Sequence, residues 1–199
     1  MAKIRPGATL TPHFRDFLPA WVARQPWYAG VGIPSLAPVG YFRLEDPAGA
    51  VGIETHLVSD GSRLYQLPMT FRGAPLDGAE GSLITTAEHS VLGTRWIYDG
   101  TADPVWAGQV LDLVRTGGVS GHGTGPGVGP AEARGRLLGR PGMLTRDTAA
   151  IDLMRVVIGG EVAPDPGILG LVSGSWYPDG PGAEAATGCL AVVRKRAPG

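Results

Sequence analysis

Between Val39 and Phe71 the sequence alternates apolar, β-branched runs with clusters of turn residues, which restricts the chain to short strands joined by tight turns. Residues 39–44 end at Glu45-Asp46-Pro47-Ala48-Gly49, residues 51–58 at Ser59-Asp60-Gly61-Ser62, and residues 63–71 at Arg72-Gly73-Ala74-Pro75. The spacing predicts an antiparallel meander. Pro68, inside the third run, predicts an edge or a bulge, because proline gives a ladder no N–H. Residues 95–98 form a further short strand.

Helical periodicity appears twice. Phe17, Leu18, Trp21 and Val22 recur at helical spacing, with Asp16 able to cap, Pro19 acceptable in a first turn and Pro26 as the stop. Asp103-Pro104 reads as an N-cap followed by an N1 proline, opening a helix to about Arg115 with Trp106, Val110, Leu113 and Val114 on one face. Sheet and helix can cover each other, so the expected class is α+β: a curved antiparallel sheet packed on a helix, followed by a small, mostly-β subdomain. Glycine and proline supply 32 and 18 of the 199 residues, near the range of low-complexity chains. Hydrophobic residues nevertheless make up 43%, too many for a disordered chain.

Residues 117–130 (GGVSGHGTGPGVGP) are dense in glycine and almost free of apolar side chains, which predicts a flexible linker or long surface loop. Beyond them, residues 136–138, 151–158, 168–172 and 188–193 are apolar and β-branched, punctuated by Pro and Gly. The expected organisation is therefore a domain over 1–116, a linker or loop over 117–130 and a β-rich subdomain over 131–199.

Several function classes lack their residues. Seventeen Lys+Arg against eighteen Asp+Glu leave no electrostatic footprint for nucleic acid or an anionic membrane. No apolar run approaches the ~18 residues of a membrane span, and no secretory h-region is visible, so a cytoplasmic location is expected. Cys189 stands alone, without a disulfide partner or a Cys-rich zinc site. A P-loop needs a lysine, and none lies between Lys3 and Lys195; the G-x-G-x-x-G register fails across the glycine run as well. No serine has glycine at both −2 and +2, and His13, His56, His89 and His122 show no metal-ligand spacing. No cofactor and no metal are expected.

Glu45/Asp46 and Asp99/Asp103 are explained by turns and caps. The most polar compact cluster is Glu88-His89-Ser90 followed by residues 94–99, where His89, Arg95, Trp96 and Asp99 suit a polyol ligand. The plainer reading is a strand entering a turn. Trp21 and Trp106 fall on the apolar stripes of the helices, leaving Trp27 and Trp96 as candidate sugar-stacking platforms.

Four segments together resemble a known family. Residues 24–30 (R-Q-P-W-Y-A-G) are similar to the arginine-aromatic-Ala-Gly signature that closes the first helix of maltokinases, and residues 65–72 (Y-Q-L-P-M-T-F-R) to their Tyr-Gln-Val-Pro-Leu-Thr-Tyr-Arg strand. Residues 74–80 (A-P-L-D-G-A-E) and 89–105 (H-S-V-L-G-T-R-W-I-Y-D-G-T-A-D-P-V) follow in the same order and spacing. About 14–114 thus resembles the N-terminal cap domain of maltokinases and related aminosugar kinases, which implies a somewhat cystatin-like curved sheet on a helix. Residues 131–199 resemble the family's small nucleotide-binding lobe more weakly. There C-L-A-V-V-R-K-R (189–196) offers Arg194 where the ATP-contacting lysine is expected, with Lys195 one position on, and the two cations are not interchangeable.

In those kinases the catalytic Asp and the Mg²⁺-holding carboxylate lie in a later helical lobe. The sequence given ends at Gly199 without an H-x-D or D-F-G-like run, so it is not expected to catalyse phosphoryl transfer by itself. The resemblance implies a non-catalytic cap-like protein that binds or regulates a sugar kinase or another enzyme of maltose, trehalose or α-glucan metabolism. Two other readings stay open: a sugar or sugar-phosphate binding protein with a pocket near Trp27, Tyr28, Arg95 and Asp99, or a kinase fragment needing its lobe in trans.

Overall fold

A computed structural model describes residues 7–123, 128–159, 163, 165–180 and 182–196. The fold is α+β, with a curled antiparallel half-barrel sheet, two helices and a second, small sheet. The large sheet runs β1 (Leu10–Thr11), β5 (Leu83–His89), β6 (Gly93–Asp99), β4 (Leu64–Arg72), β3 (Gly52–Ser59), β2 (Ala37–Glu45), β7 (Gly121–His122), with β10 (Val156–Val157) also pairing β4. The small sheet runs β8 (Glu132–Leu137), β11 (Ile168–Trp176), β12 (Ala186–Lys195), β9 (Ala149–Leu153).

The expected meander is β2–β3–β4: β2 is three residues longer than its apolar run, and β3 and β4 match theirs in length but start one residue later. Pro68 sits in neither an edge strand nor a bulge. β4 is flanked by β3 along its length, and their register runs without a shift from Gly52↔Phe71 to Ser59↔Leu64. On its other side β10 pairs Leu64 and Tyr65, whereas β6 begins only at Met69. Pro68 falls in the gap between these partners, where no N–H is needed, and Gly100 packs there with no side chain to collide with the proline ring.

The first helix, α1 (Phe14–Val22), begins earlier than its apolar spacing predicts. Its N-cap is His13, whose Nδ1 accepts from Arg15 N at 3.3 Å, while Asp16 at N3 accepts from His13 N at 2.9 Å. Asp16 therefore closes a capping box from inside the helix and is not the cap itself. Leu18, Trp21 and Val22 pack with Tyr65, Leu67, Met69 and Ile97 on one face of the large sheet.

The second helix, α2 (Pro104–Thr116), has its predicted N-cap: Asp103 Oδ1 accepts from Val105 N at 2.8 Å. It ends at Gly117, whose φ of 64° suits glycine, with Gly118 N bonding back to the Leu113 carbonyl. Trp106, Val110, Leu113 and Val114 share one core with Phe42, Ile53 and Leu57 of the large sheet and Ala133, Val172, Leu190 and Val193 of the small sheet. At two points the helix meets the small-sheet backbone directly. A Cβ at Gly135 would come within 2.0 Å of Leu113 O, and one at Gly170 within 2.2 Å of Val114 Cγ1.

Of the glycine-dense stretch, residues 124–127 lie outside the described residues. Before them, Val119 bridges Arg134, Gly121 and His122 pair with Arg43 and Phe42, and Gly123 is buried against the Tyr41 ring. Among the described residues no helix is long and apolar enough to cross a membrane.

Candidate functional site

Three of the six candidate side chains meet where the end of α1 approaches β4 and β10. Past α1 the chain turns tightly through Arg24 N to Trp21 O, Gln25 N to Val22 O and Tyr28 N to Gln25 O, at 2.9–3.1 Å. That turn lays Trp27 and Tyr28 over Tyr65, with ring centroids 5.9 and 6.0 Å apart, and sets Trp27 edge-on to Trp21 at 5.8 Å. The aromatic signature is thereby packed against its own core.

Tyr65 is fixed in turn, its hydroxyl donating to Asp60 Oδ2 at 2.7 Å. Asp60 Oδ1 also accepts from Ser62 N and Oγ and from Arg63 N at 2.8–2.9 Å. Desolvation pulls the Asp60 carboxyl upward, but these donors outweigh it and hold the group well below the usual carboxylate range. Burial, and then the hydrogen bond to that carboxylate, raise Tyr65 and keep its hydroxyl protonated.

Asp99 ends β6 and caps the 3-10 turn Gly100–Ala102, its Oδ1 accepting from Thr101 N at 3.1 Å and Thr101 Oγ1 at 2.9 Å. Its Oδ2 pairs with Arg155 Nη2, which also donates to Thr101 Oγ1 at 3.1 Å. The Arg155 guanidinium carbon lies 5.4 Å from the Trp27 ring centroid, within cation–π range. Both side chains of the pair are 14% exposed.

The other three candidates lie elsewhere. His89 Nδ1 accepts from Val91 N and Leu92 N at 3.1 and 3.3 Å, and Arg95 Nη2 donates to Leu92 O, so both hold the β5–β6 hairpin. Trp96 stands opposite Arg72 in the register, on the sheet face of α2, while its neighbour Ile97 faces the α1 core. A cleft of about 420 Å³ lies on the small sheet, bordered by Arg136, Leu138, Asp165, Ile168 and Leu171 and by none of the six candidates.

Four residues of the junction were not singled out by the sequence. Asp60 and Thr101 read there as turn residues and Tyr65 as part of a strand, while Arg155 meets Asp99 across 56 positions and carries no local signal. A second polar group is equally silent. Glu54 accepts from His56 Nε2 at 3.4 Å and faces Arg43 Nη1 at 3.6 Å, and the His56 ring lies between Phe14 and Tyr41, at 4.6 and 5.5 Å. Desolvation raises the Glu54 carboxyl, but His56 and Arg43 carry it below its ordinary value. Among the described residues no three His, Cys, Asp or Glu side chains are grouped to hold a metal.

Arg194, at the position where the resemblance expects a lysine, is engaged by Asp152 at 2.9 Å and Asp165 at 2.5 Å. Cys189 is half-buried, its thiol 3.5 Å from Ala191 O and raised by burial, so it stays protonated.

A curled antiparallel sheet with a helix on each face, its signature aromatics closed by the chain's own side chains, makes an α+β domain. Residues 21–103 match the family model of the maltokinase N-terminal cap domain. That stretch runs from the last turn of α1 to the N-cap of α2, and the rest of the chain lies outside the match. No curated protein matches the chain.

Proposed function

We propose that this chain works by binding: a non-catalytic cap-like protein whose partner is a sugar kinase or another enzyme of maltose, trehalose or α-glucan metabolism. The observation that carries this reading is the cap match over residues 21–103. The packing supports it, because Trp27 and Tyr28 lie against Tyr65 and Arg155 and shape a surface more than a pocket. Such a surface suits another protein better than a buried sugar.

The test is a titration of the full chain into a purified maltokinase, following complex formation by calorimetry and the rate of maltose phosphorylation. Saturable binding with a changed rate is expected. ATP turnover by the chain alone with maltose or glucosamine would return it to the enzymes. A thermal shift with maltose, trehalose or a sugar phosphate, without kinase binding, would make it a small-molecule binder.

A further inference from the structure

The surroundings of Arg155 have the form of a recognition site filled from within. An indole face, a carboxylate and a hydroxyl converge on one planar cation: Trp27 at 5.4 Å, Asp99 Oδ2 on Nη2, and Thr101 Oγ1 at 3.1 Å from the same nitrogen. These three groups all belong to the cap, within residues 21–103, whereas Arg155 lies outside that stretch. Its backbone is held as well, with Gln66 N donating to Arg155 O at 2.9 Å and Arg155 N bonding Leu153 O at 3.1 Å. Arg155 Nη1 is buried and has no hydrogen-bond acceptor among the described residues, so the indole face is what offsets its lost hydration.

The cap side is preformed without the arginine. Asp99 is fixed by capping the 3-10 turn, Thr101 by its own hydrogen bond to Asp99, and Trp27 by Trp21 and Tyr65. The Thr101 hydroxyl donates to Asp99 Oδ1, which leaves its lone pair for an incoming N–H. We infer that Trp27, Asp99 and Thr101 form a guanidinium-binding site on the cap, and that the chain occupies it in cis with Arg155, latching the segment between β9 and β10 onto the cap. A small guanidinium compound then replaces the arginine head wherever position 155 lacks it. The inference concerns this chain alone and stands apart from any partner the cap binds.

The experiment is chemical rescue of the full chain. Arg155→Ala empties the site, and Arg155→Met keeps the apolar stem should the alanine variant not fold. Each is titrated with methylguanidinium chloride against matched sodium chloride, beside the unmodified protein and the double variant Arg155→Met/Asp99→Asn. At about ten times its dissociation constant the ligand raises the melting midpoint of the single variants by roughly 3–5 °C. It does not raise that of the unmodified protein or the double variant. The Trp27 indole N–H resonance moves in the same titration of Arg155→Met. An equal shift in all the proteins, or none in the single variants with the Trp27 resonance unmoved, overturns the inference.

Discussion

Asp99 and Asp103 stand at the two ends of one 3-10 turn and each meets an arginine, yet the two pairs hold different things together. Asp103 is fully buried, bonds Arg72 Nε and Nη2 at 2.7 Å each, and caps α2. Arg72 and Asp103 both lie within the matched stretch, residues 21–103. Asp99 keeps one oxygen for its turn and gives the other to Arg155, from the segment that leads out of the small sheet. The first pair joins β4 to α2, whereas the second joins the end of β6 to the segment after β9. Arg72 is 19% exposed and both members of the outer pair 14%, so the cations differ little. The inner pair is distinguished by a carboxylate with no exposed surface, held at two points and also capping a helix.

The largest effect is therefore expected at the inner pair. Asp103→Asn strands the Arg72 guanidinium and weakens the α2 cap, lowering stability by about 3–5 kcal/mol in urea unfolding. Next comes the junction where α2 rests on glycine. Gly135→Ala drives a methyl into the Leu113 carbonyl and costs about 1–3 kcal/mol by overpacking, with hydrogen exchange accelerated in α2 and β8. Asp99→Asn, which keeps an acceptor for Thr101 but loses the ion pair, costs about 1.5–3 kcal/mol. An Asp99→Asn loss larger than that of Asp103→Asn would reverse the ranking of the two pairs.

Acid tests the inner pair. Desolvation raises the Asp103 carboxyl, but Arg72 and the Val105 N–H outweigh it and hold it below its usual 3.8. A depressed carboxylate contributes stability that is present above the unfolded value of 3.8 and is lost as pH falls through the folded value. Stability is thus expected to fall below about pH 4, and Asp103→Asn to flatten that acid limb in melting curves taken between about pH 2 and 7.

The same contrast explains what the sequence announces. Asp103-Pro104 and Gly117 bracket α2 because caps and stops are local chemistry, readable within a few residues. The turn clusters bound β2, β3 and β4 for the same reason. Strand β5 has no clear local signal, because Leu83–His89 mixes threonine, glutamate and histidine with few apolar residues, and pairing with β6 makes it a strand. Gly135 and Gly170 read as punctuation, yet they are contact surfaces, since what they make room for is a helix more than twenty residues away or more than fifty. Of the candidate site, Trp27, Tyr28 and Asp99 do lie at one junction, but the residue that fills it, Arg155, is supplied by topology. Trp96 shares a strand with Asp99 and falls on the other face through simple alternation.

The smallest effect is expected at Arg194, near the end of β12. Arg194 bonds Asp152 and Asp165, a count of ion pairs that exceeds that of Arg155, but its side chain is 37% exposed and theirs 50% and 47%. Water solvates all three charges after the bonds break, and the long side chain regains its rotamer freedom. Arg194→Ala is accordingly expected to leave the melting midpoint unchanged within error, and its midpoint to be no more salt-dependent than that of the unmodified protein. A clear drop, approaching that of Asp99→Asn, would show that Arg194 holds the end of β12 in place and that exposure is the wrong variable for ranking these arginines.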